Sequence, residues 1–147
     1  MATKRFRIKN VAPDGYKAVL ALENYICNSK LNPVYREMIK IRASQINGCA
    51  YCIDMHTKDA RELGESERRL YALSAWRESP LFSEEEKALL AATEEITNIS
   101  VKGLSEDTYS RLNKYFDQET IADIILINVT TNSWNRIAVS THSQHDN

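Results

Sequence analysis

Three residues of the segment Cys49-Ala50-Tyr51-Cys52-Ile53-Asp54-Met55-His56 can act on one another chemically. Cys49, Cys52 and His56 are spaced by three and then four positions. On an α-helix, at about 100° per residue, they fall within roughly 60° on one face. Cysteines three apart on a helix carry Cβ atoms about 5–6 Å from each other. A disulfide needs about 3.5–4.5 Å, so a modest adjustment lets the pair close and reopen without unfolding the domain. A helix start adds unpaired N–H groups and a positive dipole end, which favour thiolate over thiol. In such places a thiol pKa falls from about 8.5 towards about 3.5–7.5. His56 lies one turn beyond Cys52 and can exchange a proton with it. Cys52 is therefore assigned as the attacking thiolate and Cys49 as the partner that closes the disulfide.

A neutral imidazole needs a group that fixes its tautomer and accepts its proton. Glu37, on the preceding predicted helix, is the best candidate. Its neighbours at i−3 and i+4 are Val34 and Ile41, which places it on the shoulder of the apolar face, away from an expected solvated stripe of Arg36, Lys40 and Asn47. Partial desolvation there raises a carboxylate pKa and suits a general base. A surface Glu37 paired with Lys40 or Arg42 is the bland alternative. A zinc site is another. Zinc usually takes four ligands; only Cys49, Cys52 and His56 are obvious, and Cys27 and Glu37 would have to complete the shell. No metal or other cofactor is expected.

These residues must be positioned by helices. After Pro13, Tyr16, Val19, Leu20 and Ile26 recur at helical spacing up to Asn28-Ser29. Asn32-Pro33 opens the helix of Glu37, which stops at Asn47-Gly48. The helix of the cysteines starts at Cys49 and ends at Leu63-Gly64. Further helices run from Ser66 to Ser79-Pro80, from the capping box Ser83-Glu84-Glu85-Glu86, from Ser105 to about Phe116, and from Gln118 to Thr141. The expectation is an all-α domain of about seven helices over residues 13–141, with an N-terminal arm over 1–12 and a polar tail over 142–147. Arg5-Phe6-Arg7-Ile8-Lys9 suits an extended, solvated arm. Ile124, Ile125, Leu126 and Ile127 point in four directions, so the last helix is either a subunit interface or a central helix wrapped by its own chain.

The spacing from Glu37 to Cys49, Cys52 and His56 resembles the E-x11-C-x2-C-x3-H pattern of AhpD-like alkylhydroperoxidases, within the carboxymuconolactone decarboxylase superfamily. The stretch from Glu37 through Gly64 looks like the core of that domain. Asn132-Ser133-Trp134-Asn135-Arg136 is similar to the N-x-W-N-R run of its last helix. The resemblance implies an all-helical fold that assembles as trimers or hexamers. It also implies peroxide reduction by Cys52, resolution by Cys49 and a Glu37–His56 proton relay. The oxidised pair would be recycled by a dithiol reductant, a lipoyl-bearing or thioredoxin-like protein. Ala50-Tyr51 stand where well-known members carry a histidine, which leaves the part played by Tyr51 open. The cysteine pair argues against the decarboxylase branch, which lacks it. A general dithiol–disulfide oxidoreductase is the close alternative reading, and a zinc-binding oligomeric scaffold the distant one.

Composition agrees with this class. The chain has 147 residues, 43% hydrophobic and 27% charged, with four Gly and three Pro, too few for the turns of a sandwich or barrel. A net charge of −1 argues against a nucleic-acid partner. No apolar run is long enough for a membrane span, and the start lacks the apolar region of a secretory signal. Three cysteines, an odd number, fit a reducing cytoplasm better than a disulfide framework. Cys27 reads as a small buried hydrophobe, and Trp76 and Trp134 as core or interface aromatics. Asn128, Asn132 and Asn135 read as amides that satisfy backbone or inter-helix hydrogen bonds, with the lining of a substrate channel as the alternative. His142 and His145 lie in the tail and are not counted as ligands.

Overall fold

The computed structural model describes residues 3–144. Among them all regular structure is helical: α1 (Ile8–Val11), α2 (Pro13–Cys27), α3 (Pro33–Asn47), α4 (Ala50–Glu62), α5 (Glu67–Ala72), a 3₁₀ turn (Leu73–Ala75), α6 (Glu84–Thr97), α7 (Glu106–Tyr115) and α8 (Gln118–Thr141). The starts are set by the expected side chains. Asn32 accepts from Val34 N–H, Ser66 from Arg69 N–H, Ser105 from Thr108 N–H and Asp117 from Thr120 N–H. Ser83 and Glu86 close a reciprocal capping box. Gly48 ends α3 at φ +66°, a left-handed position that costs glycine nothing and lets α4 start two residues later.

The helix expected from Ser66 to Ser79 is shorter than its pattern. It tightens into the 3₁₀ turn after Ala72, which brings Leu73 and Trp76 into the core together. The indole N–H of Trp76 donates to Glu94 Oε1 at 2.9 Å.

Helix α3 is the centre of the fold, packed against α4, α6 and α8. One side of the core joins Ile26, Ile39, Leu89, Leu112, Ile124 and Ile127. The other joins Met38, Ile41, Leu73, Trp76 and Leu90. With helices around it, α3 has no solvated stripe, which corrects the expectation for Arg36, Lys40 and Asn47. Each is covered and paired. Arg36 donates to the carbonyls of Ile26 and Cys27 at the end of α2, both at 3.1 Å. Lys40 is buried against Glu23. Asn47 donates to Asn132 and Asn135 of α8, both at 2.9 Å. Together with Asn135 donating to Ser44, these amides form a polar seam between α3 and α8.

Helix α8 takes a course between its two expected roles. Ile124 and Ile127 are fully buried within the chain, whereas Ile125 and Val129 stay exposed. These two line an open apolar groove with Ile96, Ile99 and Leu104. None of the described helices is long and apolar enough to cross a membrane. At the N-terminus, α1 occupies residues 8–11 where an extended arm was expected. Arg5 is exposed but tethered: its backbone N–H and guanidinium donate to the carbonyls of Thr141 and Ser140, at the end of α8. His142 Nδ1 lies 3.0 Å from the Thr3 carbonyl, and His145 lies outside the described residues.

Candidate active site

The turn after Gly48 delivers Cys49 as the N-cap of α4. Its Sγ accepts from the Cys52 N–H at 3.3 Å, so the helix start is directed at Cys49 first. The two sulfurs are joined in a disulfide. Both residues are buried, under Ala138 of α8. One turn on, α4 places His56 on the same inward side, 7% exposed.

Glu37 reaches this imidazole from α3. Its Oε2 lies 3.1 Å from His56 Nδ1, with both side chains 9% exposed. The two atoms are close without the alignment of a hydrogen bond, and neither has another hydrogen-bond partner. The pair is therefore held together by the packing of α3 on α4, with this hydrogen-bonding capacity still unspent. Desolvated polar atoms of this kind are costly and are tolerated chiefly where they do chemistry. Asp59 Oδ2 stands 4.0 Å from the same ring nitrogen, with half of its side chain exposed. Burial, then the charge of Glu37, push the Asp59 carboxyl up from the ordinary aspartate range.

All four residues singled out from the motif, Glu37, Cys49, Cys52 and His56, are thus brought to the α3–α4 contact. Three others belong to the same neighbourhood and lay outside that reading. Lys40 Nζ is 3.7 Å from Glu37 Oε1 and donates to Glu23 Oε1 at 3.0 Å. Glu23 Oε2 accepts from Trp134 Nε1 at 3.2 Å. Sequence signals did exist for Lys40, the i+3 partner in the alternative reading of Glu37, and for Trp134, in the N-x-W-N-R run; nothing local marks Glu23. Cys27 corrects the expectation of a buried hydrophobe. As the last residue of α2 it is exposed, turned about 100° from buried Ile26, and its thiol donates to Glu23 Oε1 at 3.6 Å. Burial and the Glu23 charge raise its pKa. Tyr51 is 37% exposed, on α4.

Cation binding is poorly favoured here. Glu37, His56 and Asp59 offer ligand atoms within 4.8 Å of one another. The Lys40 ammonium beside Glu37 opposes a second positive charge. The four-ligand zinc set built on both cysteines does not form in this structure, because their sulfurs are bonded and Cys27 faces out against Glu23. What the arrangement can do is open and close a disulfide beside a histidine–carboxylate pair.

Residues 13–95 match the carboxymuconolactone decarboxylase family. The uncharacterized protein YdfG of Bacillus subtilis (strain 168) is 46% identical over 138 residues, 94% of each chain. A solved structure from Agrobacterium tumefaciens superposes with a TM-score of 0.95 at 42% identity, covering 99% of both chains. That protein, of unknown function, is provisionally named an antioxidant defence protein AhpD. An uncharacterized peroxidase-related protein from Silicibacter sp. TM1040 is 27% identical with a TM-score of 0.78, over 88% of this chain and 69% of its own.

Proposed function

The chain belongs to the carboxymuconolactone decarboxylase family and is AhpD-like, and on that premise we propose that it is a cysteine-based hydroperoxide reductase. The observation that carries this reading is the buried Glu37 carboxylate, 3.1 Å from His56 Nδ1, with Cys52 one turn before His56 on α4. In the reduced protein His56, backed by Glu37, takes the proton of Cys52. The thiolate attacks one oxygen of ROOH. The O–O bond breaks, Cys52 becomes a sulfenic acid, and the leaving alkoxide takes a proton from imidazolium as ROH. The Cys49 thiol then displaces hydroxide from Cys52 and water leaves. The product is the disulfide present in this structure. A dithiol donor, of the lipoyl or thioredoxin-like class, reduces it by two exchange steps and is itself oxidised to a disulfide. Alkyl and hydrogen peroxides both suit this scheme.

One observation favours a second reading, a general dithiol–disulfide oxidoreductase. Cys49, not Cys52, is the N-cap of α4, and its Sγ accepts an N–H of the first turn, that of Cys52. A thiolate at Cys49 would suit exchange with an external disulfide. Intact-mass analysis after one equivalent of hydrogen peroxide, an organic peroxide or a model disulfide separates the two. Fast loss of two hydrogens with peroxide, mapped to Cys49–Cys52, supports the reductase. Reaction with the model disulfide alone rejects it. The exposed strip of Ile125 and Val129 with Ile99 is the surface that a trimer or hexamer would bury, and a reducing cytoplasm is the compartment that suits a recycled pair.

A further inference from the structure

We propose that Lys40 is a positioning residue of the Glu37–His56 relay, offsetting the Glu37 charge and directing its carboxylate so that the proton of Cys52 goes to the imidazole. This deepens the reductase reading and rests on it for its catalytic meaning. An ammonium is costly to bury unless it is paired, and the Lys40 side chain is 6% exposed. It is bracketed by two carboxylates: Glu23 Oε1 at 3.0 Å and Glu37 Oε1 at 3.7 Å. Glu37 therefore turns one oxygen to Lys40 and the other to His56.

The far end of this line is fixed as well. Glu23 accepts from Trp134 Nε1 and from the Cys27 thiol, and Trp134 packs on Tyr16 with ring centroids 5.6 Å apart. Burial alone would raise the Glu23 carboxyl. The Lys40 charge and the hydrogen bonds from Lys40, Trp134 and Cys27 outweigh it and hold Glu23 below the ordinary glutamate range. A continuous path thus runs from α8 through α2 and α3 to α4: Trp134, Glu23, Lys40, Glu37, His56.

Its charges are informative. Glu23 and Glu37 bring two negative charges and Lys40 one positive. The line balances when His56 carries the proton it receives from Cys52, with the partly exposed Asp59 the other acidic group near the ring. Without Lys40 the Glu37 carboxylate faces the ring uncompensated, with the Glu23 charge behind it, and Cys52 reactivity rises only at higher pH. Without the Glu23 charge the opposite follows, because Lys40 then serves Glu37 alone. The two substitutions must move the relay in opposite directions, whereas a loosened core would move it one way for both.

The test follows Cys52 alkylation by iodoacetamide against pH in the reduced full-length protein, mapped by mass spectrometry, and so needs no peroxide. Lys40→Met is expected to move the acid limb up by about one pH unit or more. Glu23→Gln is expected to move it down, and Lys40→Arg to return it towards the parent profile. Parent-like profiles for both charge-removing variants, or shifts of the same sign, overturn the proposal. If Lys40→Met does not fold by its thermal melt, Glu23→Gln decides alone, a downward shift supporting and any other result rejecting it. Opposite shifts in a protein that turns over no peroxide would sink the reductase reading and leave the charge path standing. Turnover with coincident profiles would do the reverse.

Discussion

Arg69 and Lys40 each lie between two carboxylates, and they are treated differently. Arg69 donates to Glu65 Oε1 at 2.9 Å, to both oxygens of Glu86 and to the Leu81 carbonyl. Its guanidinium lies over the Phe82 ring, 4.7 Å from the centroid. The carboxylates are saturated in turn, Glu65 Oε1 by the Ser66 N–H and Glu86 Oε1 by the Ser83 N–H. Around Lys40 the hydrogen bonding runs out. Lys40 makes one good hydrogen bond, to Glu23, and its contact with Glu37 is longer. Glu37 Oε2 and His56 Nδ1 face each other without a formed bond. A saturated cluster fixes structure, since every group already has its partner. An unsaturated one, ending on an imidazole, keeps capacity for a moving proton. The contrast separates a joint of the scaffold from a part of the machinery, although both bury a cation between two acids.

Substitutions at the two clusters sharpen that contrast. The largest effect is expected beside the unsaturated one. Cys52→Ser should abolish peroxide turnover outright, and Cys49→Ser should allow one round of oxidation and block recycling, both read in a stopped-flow peroxide assay. Full turnover by Cys52→Ser would remove the machinery side of the comparison. Next comes Arg69→Met, which strands two buried carboxylates. It should cost about 3 kcal/mol or more in urea unfolding, while the pH profile of Cys52 alkylation keeps its parent shape. A shifted profile would show that the clusters are not separate.

The smallest effect concerns acid. Burial alone would raise the Glu86 carboxyl, but the hydrogen bond and charge of Arg69 and the contacts to Ser83 hold it below its ordinary 4.5. A depressed carboxylate stabilises the fold above its unfolded pKa and loses that contribution as pH falls through the folded value. Glu23 behaves in the same direction. Unfolding free energy should therefore fall as pH drops below 4.5, and Glu86→Gln should flatten that slope. An unchanged slope would contradict the account of the saturated cluster.

Much of the architecture was legible residue by residue. Asn32, Ser66, Ser83, Ser105 and Asp117 cap the helices they announce, because a cap is a contact within three residues. The motif placed Glu37 and His56 on adjacent helices, and the left-handed Gly48 turns one back against the other. Lys40 was misread because a helical pattern records one helix's own faces and not what its neighbours present. Its partner Glu23 is 17 positions away, and the Trp134 that holds Glu23 is 111 positions from it. Cys27 was misread for the converse reason: it follows a buried isoleucine but points away from the core. The half-exposed apolar face of α8 was open from sequence, since four consecutive aliphatic residues do not tell which of them a neighbouring helix covers.

The central claim is that Glu37 acts through His56 to ionise Cys52. The most direct measurement is the second-order rate of Cys52 oxidation by hydrogen peroxide in reduced protein, followed by stopped flow across pH, for the parent and for Glu37→Gln. Loss of the carboxylate is predicted to lower the rate at neutral pH by about 100-fold, with the acid limb altered and the fold intact by circular dichroism. An unchanged rate and profile would contradict the relay.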